Sequence, residues 1–305
     1  MPPAPDDFDP PHGPAIELEP GLRRVVAPNP SPMTYRGTNT YILGSTDLCV
    51  IDPGPADPDH LDAILSAVQS GQKITHILVT HTHTDHSPLA RPLADRCNAP
   101  VLAFGGPQAG RSAIMERLAA SGLAGGGEGI DADFVPDICV RDGETISAAE
   151  WSLDVLHTPG HLGNHIALAW KDACFTADHV MGWASSLVSP PDGDLTDFMD
   201  SCRKLQARNW RIFHPGHGAP INDPKARLQW LIDHRLSREA QILDTLSQAP
   251  ATASALAKSI YADTPAALLP AAERNVFAHL VDLCGRRLVT ANGDLSASAS
   301  FQIAS

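Results

Sequence analysis

The run His81-Thr82-His83-Thr84-Asp85-His86 decides how this 305-residue chain is read, because three imidazoles and a carboxylate fall within six residues. It follows directly on Ile74-Thr75-His76-Ile77-Leu78-Val79-Thr80, a β-branched apolar run of the kind that forms a buried strand. Four ligand-type side chains so close together cannot all face one side of regular structure. On a tight turn at a strand end they can diverge toward two neighbouring cations, and neutral imidazole with carboxylate suits zinc and related divalent ions. The alternative is a polar turn that happens to hold histidines.

Working outward, Leu48-Cys49-Val50-Ile51 reads as a strand stopped by Asp52-Pro53-Gly54, and His60 to Gln69 carries a helical apolar stripe at 61, 64, 65 and 68. Strand, helix, strand in that order predicts an α/β arrangement. Downstream, Trp151 to Leu156 alternates and runs into His157-Thr158-Pro159-Gly160-His161. Ile166–Trp170 and Ala173–Thr176 flank Lys171-Asp172 as a hairpin, with Asp178 just beyond its second strand. Phe198 to Ala207 reads as a helix, and Arg211-Ile212-Phe213 is a short strand closed by His214-Pro215-Gly216-His217-Gly218. Taken singly, His161, Asp178 and His217 are weak ligand candidates; their shared place at strand ends raises them together.

The edges of the chain have a different character. Residues 1 to 32 hold ten prolines and read as an extended lead-in, with Leu18 to Val26 the first stretch able to pair as a strand. Gly125-Gly126-Gly127 reads as a loop. After Pro220, residues 225–248 are helical in pattern. Residues 252–305 read as two short helices, a longer one over 273–284, and a hairpin near Asn292-Gly293-Asp294.

The HTHTDH run, Thr158-Pro159-Gly160-His161, the strand-end Asp178 and Pro215-Gly216-His217-Gly218, in this order, resemble the metallo-β-lactamase superfamily over roughly residues 20–220. Thr38-Asn39-Thr40-Tyr41, the Asp52-Pro53-Gly54 turn and the helix DHRLSREAQIL (233–243) resemble its beta-lactamase-like protein 2 subgroup. The resemblance implies an α/β fold: a Pro-rich extension over 1–17, a four-layer αββα sandwich over 18–222, and a helical linker with a small, mostly helical winged-helix-like domain over 223–305. It implies two divalent metal ions, zinc first, with manganese or iron as alternatives. His81, His83 and His161 would hold one ion, Asp85, His86 and His217 the other, and Asp178 both. Asp52 would orient ligand groups from behind. The family usually has Gly where this chain has Ala177. His165, His179 and Trp183 stand close enough in sequence to back the ligands or touch substrate. His214 is an alternative ligand, His76 and His157 read as structural, and Cys174 as packing.

The reaction implied is that of a metal-dependent hydrolase. A metal-bridging hydroxide, oriented by Asp85, would attack an ester-like carbonyl (thioester or lactone) of a small molecule. A single-strand-directed endoribonuclease or phosphodiesterase is the alternative. A third reading, from another class, is an inactive binding or homodimerisation module, with Leu280, Leu283 and Leu288 serving either an internal core or a partner.

Charge bears on the choice. The chain has 22 Lys and Arg against 35 Asp and Glu, a net charge of −13. Residues 223–305 carry eight of each sign, so the whole deficit lies in residues 1–222. A winged-helix unit that grips RNA is expected to be basic, and this one is neutral, with Arg286-Arg287 its one adjacent pair. No run of about 18 apolar residues predicts a membrane helix. The acidic, Pro-rich start lacks the pattern of a signal peptide, and six scattered cysteines form no C-x-x-C pair; the expectation is a cytoplasmic protein with reduced thiols.

Overall fold

The computed structural model describes residues 8–125, 129–262, 265 and 268–304. Residues 1–7 of the Pro-rich lead-in, and Gly126 and Gly127 of the expected loop, lie outside the described residues.

Two sheets face each other. The first runs in chain order through β1 (Ile16–Glu19), β2 (Leu22–Val26), β3 (Asn39–Leu43), β4 (Asp47–Ile51), β5 (Lys73–Leu78), β6 (Val101–Ala103) and β7 (Ile138–Cys139), antiparallel as far as β4 and parallel from there on. The second contains β8 (Thr145–Ser147), β9 (Ser152–His157), β10 (Ile166–Trp170), β11 (Ala173–Ala177) and β12 (Ile212–Pro215), with β11 and β12 as its one parallel pair.

The layering follows from side-chain alternation. On β4, Cys49 and Ile51 enter the core between the sheets. Leu48 and Val50 face the other way, into the core beneath helices α1 (Pro58–Ser66) and α2 (Ala90–Cys97). On β10, Ile166, Leu168 and Trp170 fill the same inter-sheet core. Ala167 and Ala169, small enough to admit a close helix, face Phe198 and Cys202 of α4 (Leu195–Gln206). The result is the four-layer αββα sandwich.

The C-terminal unit has its own core. It is built by α6 (Ala253–Ile260), α7 (Leu269–Gly285) and a small sheet of β13 (Ala251–Thr252), β15 (Ser300–Ile303) and β14 (Val289–Asn292), in that order, with Met115 and Leu118 of α3 (Ala113–Ala120) packed against them. This is a winged-helix arrangement. The 25-residue α5 (Pro224–Gln248) joins the two units: Leu228, Leu231 and Ile232 pack on the outer face of the second sheet, and Ile242 and Leu246 in the C-terminal core. Leu280 and Leu283 belong to that internal core, whereas Leu288 is 42% exposed.

One local expectation differs. Among the described residues a single short helix, α6, precedes the long one, which starts at Leu269 and not at 273. Pro270 lies in its first turn, where a missing N–H leaves no helical bond unmade, so it opens the helix. No helix among the described residues is long and apolar enough to cross a membrane.

Candidate metal centre

The site residues meet at one edge of the sandwich because each follows the carboxyl end of a strand. Asp52 follows β4, the His81–His86 run follows β5, His161 follows β9, Asp178 follows β11 and His217 follows β12. The parallel β4–β5 and β11–β12 pairs point these ends the same way. All seven residues expected from sequence as ligands are buried.

They fall into two groups. His81, His83, His161 and Asp178 offer donor atoms within 4.8 Å of one another, and so do Asp85, His86 and His217; a third set, Asp52, His81 and His86, links the two. In the first group, His83 Nδ1 lies 3.1 Å from His81 Nε2 and 3.0 Å from His161 Nε2. Thr80 Oγ1 donates to Asp52 Oδ2 (2.7 Å), so it accepts from His81 Nδ1 (2.9 Å); His161 Nδ1 donates to Leu187 O (2.8 Å). These bonds use the ring protons and leave the Nε2 lone pairs of His81 and His161 aimed at one spot. Burial lowers the pKa of all three imidazoles below the ordinary value, that of His83 to about 3. Neutral lone pairs converging at hydrogen-bond distance repel each other unless a cation lies among them.

The second group is organised by Asp52. Its Oδ2 accepts from His86 Nδ1 at 2.9 Å, which turns His86 Nε2 toward Asp85 Oδ2 (3.2 Å) and Asp178 Oδ1 (3.4 Å). His217 Nδ1 donates to Gly37 O (3.2 Å), turning its Nε2 toward Asp85 Oδ2 (3.1 Å) and Asp178 Oδ2 (3.3 Å). Asp85 Oδ1 and Asp178 Oδ1 are buried and accept no hydrogen bond among the described residues. Buried anionic oxygens beside converging imidazoles fit divalent cations.

Electrostatics agree. Burial would lower His86, but Asp85, Asp178 and Asp52 outweigh it and hold this imidazole well above its ordinary pKa. His217 is likewise opposed by burial and raised, chiefly by Asp178, to about 10. Burial would raise both carboxyls, and the two imidazoliums hold Asp85 and Asp178 well below the carboxylate range. These directions favour protonated His86 and His217 in the metal-free protein, so a bound cation would compete with those protons. Calorimetric titration of zinc chloride at pH 7.5, in buffers of different ionisation enthalpy, is expected to show release of about two protons on full loading. Affinity is expected to fall as pH is lowered. Zinc uptake with no proton release contradicts this picture.

The remaining candidates separate cleanly. His165 packs 5.2 Å from the His81 ring, with Nδ1 on Thr158 Oγ1. His179 turns away from the cluster onto Phe198, with its Nε2 3.5 Å from Cys202 Sγ. Trp183 stacks on Tyr35 and lines a cavity that opens on His83, His161 and Asp178. His214 faces Tyr41, Phe175 and Glu19, outside both donor groups. His76 and His157 pack on Trp151 and Phe104, and Cys174 lies in the core under α4 and α5. Ala177 adopts φ +41°, a left-handed conformation that costs about 1–2 kcal/mol for a residue with a Cβ. It accompanies a bulge between Phe175 and Ala177 that turns Asp178 out of the strand.

Several working residues carry no ligand signal in the sequence. Thr38 Oγ1 donates to Asp85 Oδ2 (3.2 Å). Asn39 Nδ2 donates to Pro215 O and Gly218 O, and Tyr41 OH to Pro215 O, fastening the loop that presents His217. Thr40 Oγ1 donates to Asp52 O and accepts from His60 Nε2, bracing Asp52 at φ +51°. The Thr38–Tyr41 motif is visible in the sequence; its purpose emerges only in the fold.

His83, His161 and Asp178 form one end of this cavity of about 260 Å³. Met181, Trp183 and Leu187 line one side, and Tyr261, Ala271 and Asn275 of the C-terminal unit the other. Two arginines of α5 hold the 181–187 side in place. Arg227 donates to Met181 O (2.7 Å) and Ala184 O (2.6 Å), and the fully buried Arg235 to Ser186 O and Asn275 Oδ1. Ser186 Oγ in turn donates to the carbonyls of Asp178 and His179.

Known proteins share this fold. The profile of the metallo-beta-lactamase superfamily matches residues 33–217, and that of the beta-lactamase associated winged helix domain residues 252–298. A beta-lactamase-like protein 2 homolog of Drosophila melanogaster is 32% identical over 295 residues, covering 88% of this chain and 90% of its own. An atrochrysone carboxyl ACP thioesterase of Aspergillus fumigatus is 32% identical over 235 residues, covering 74% of this chain and 65% of its own. A beta-lactamase domain protein of Burkholderia ambifaria superposes with a TM-score of 0.79 at 20% identity, covering 99% of this chain and 97% of its own, a likeness of fold. The superfamily profile spans more than half of the sequence and the fruit-fly relative nearly all of it, and on that ground the chain belongs to the metallo-beta-lactamase superfamily.

Proposed function

We propose that the protein is a binuclear metal-dependent hydrolase acting on an ester-like carbonyl, thioester or lactone, of a small molecule. The observation that carries this is the convergence of five imidazoles and two carboxylates at the end of a cavity with largely apolar walls. His81, His83 and His161 would hold one ion and Asp85, His86 and His217 the other. Asp178 would serve both, since its oxygens reach His86, His161 and His217 at 3.3–3.7 Å. Zinc is the first candidate for this donor set. Divalent ions held there supply Lewis acidity and bring the pKa of water down to about 7.

The chain's own groups do the rest. Asp52 fixes the tautomer of His86, as a partner of a metal-binding imidazole does. Asp85 Oδ1, with no competing donor, would accept a hydrogen bond from the attacking water and orient it. Met181, Trp183 and Leu187 keep bulk water from the acyl group.

Relatives named as acyl carrier protein thioesterases support carbonyl over phosphodiester chemistry. So does the engagement of four of the eight cations of residues 223–305 by other groups of the chain. Arg227 and Arg235 are buried against carbonyls, Arg238 lies over Tyr261, and Arg286 pairs with Glu239 and Asp282. A surface gripping phosphates needs free cations.

A panel of N-acetylcysteamine thioesters, lactones and single-stranded RNA, each assayed with zinc and with chelator, tests this. Chelator-sensitive turnover of a thioester or lactone is the expected result. Selective RNA cleavage, or turnover indifferent to chelator, overturns it.

A further inference from the structure

We infer that the first turns of α7 are the specificity wall of the substrate cavity, and that the winged-helix unit reads the acyl group of the substrate. The inference rests on the ester-hydrolase reading and adds what the substrate carries: an uncharged, apolar acyl group whose length is set at Ala271 and Ala272.

The cavity begins at His83, His161 and Asp178 and ends on the C-terminal unit, where Tyr261, Leu268, Ala271 and Ala272 face it. Among the described residues that line it there is no Lys, Arg or Glu, and its one carboxylate is Asp178 at the metal-binding end. A charged acyl tail would lose its water there and gain no partner. At about 260 Å³ the space lies just below the roughly 300–1,000 Å³ of typical small-ligand pockets, room for an acyl group and not for an oligonucleotide.

The wall is registered to the catalytic end through one short segment. Leu187 O accepts from His161 Nδ1. The next residue, Val188, donates its N–H to Asn275 Oδ1 (3.2 Å), and Asn275 lies one turn beyond Ala271 on α7. Arg235 Nη1 donates to the same Asn275 oxygen (2.9 Å), and Arg274 to Ser189 Oγ (3.0 Å). Alanine at 271 and 272 then leaves space that any larger side chain would fill. Each methylene accommodated is worth roughly four-fold in affinity.

The test uses the zinc-loaded full chain with acetyl, hexanoyl and decanoyl N-acetylcysteamine thioesters, and calorimetric binding of decanoate. In the native protein kcat/KM is expected to rise from acetyl to the longer chains. Ala271→Leu is expected to lower decanoyl kcat/KM at least ten-fold, leave acetyl within two-fold, and weaken decanoate to match, with zinc content unchanged. Leu268→Ala, which opens the same wall, is expected to shift the preference toward decanoyl, and it decides the question if Ala271→Leu fails to fold. Decanoate binding lost in Ala271→Leu by a protein that turns over no thioester keeps the wall and sinks the hydrolase reading. Thioester turnover with one chain-length profile in all three proteins keeps the hydrolase and overturns the wall.

Discussion

Asp178→Asn is expected to lower kcat/KM on the preferred ester by at least about 10³-fold, a loss of roughly 4 kcal/mol of transition-state stabilisation. The substitution preserves shape, so the β11–β12 edge stays intact. What changes is charge and donor pattern. Asp178 is 6% exposed, and its two oxygens are shared between His86 on one side and His161 and His217 on the other. A carboxamide brings an NH₂ to one of those places and removes the negative charge that both metal groups would share. His217 loses its largest support against burial, so its pKa drops from about 10. Metal analysis is expected to show reduced content, with the circular dichroism unchanged. For scale, Asp52→Asn, acting only through His86 and Thr80, is the milder lesion, in the range of about 10–100-fold. A fully metallated Asp178→Asn protein with native turnover would remove Asp178 from the proposed ligand set.

Gly160→Ala is expected to be strongly destabilising for the addition of a single methyl. Gly160 sits at φ +135°, where a Cβ is strained, and a Cβ there would collide with the backbone of Phe198 at the start of α4. The residue cannot shift freely, because its carbonyl accepts from Asp194 N (2.9 Å), at the cap of α4, and its N–H donates to Leu162 O (3.2 Å). Backbone strain of about 1–2 kcal/mol adds to overpacking of about 1–3 kcal/mol. Melting temperature is expected to fall by roughly 5–15 °C. Since His161 is the next residue, metal affinity should fall with it. A variant that melts within about 2 °C of the native protein, on the scale of a loss below about 1 kcal/mol, contradicts the argument.

Much of the site is legible in the amino-acid sequence, and the reasons are local. The His81–His86 run, the TPGH and PGHG turns and the strand-end Asp178 are short patterns in which ligand type and turn geometry coincide. β10 and β11 are readable because every residue is buried and the Lys171-Asp172 turn is explicit. The stretch from Ser87 to Glu150 is silent. β6 and β7 have three and two residues, too few for a period to register, and α2 opens without a side-chain cap. Its core positions are alanines and a leucine in an otherwise charged segment. The supporting network is hidden for another reason. Thr38, Asn39, Thr80, Arg227 and Arg235 act on backbone carbonyls or neighbours far away in sequence, and no spacing rule reaches across 176 residues, as the Asn39–Pro215 bond does. His165 and His179 show the converse: nearness in sequence to His161 and Asp178 places them beside the cluster, yet in the turn after β11 the ring of His179 packs on Phe198.

The 25-residue α5 has a bearing on how such a protein can be rebuilt, by experiment or by descent. Its first half roofs the second sheet and its second half floors the winged-helix core, and its Arg227 and Arg235 reach the 181–186 loop beside the His/Asp cluster. The junction between the two units is thus a shared structural member and not a hinge. Swapping in a foreign C-terminal unit succeeds only where the graft keeps the helix through Arg235, so the inherited portable segment starts in the middle of a helix and not at its end.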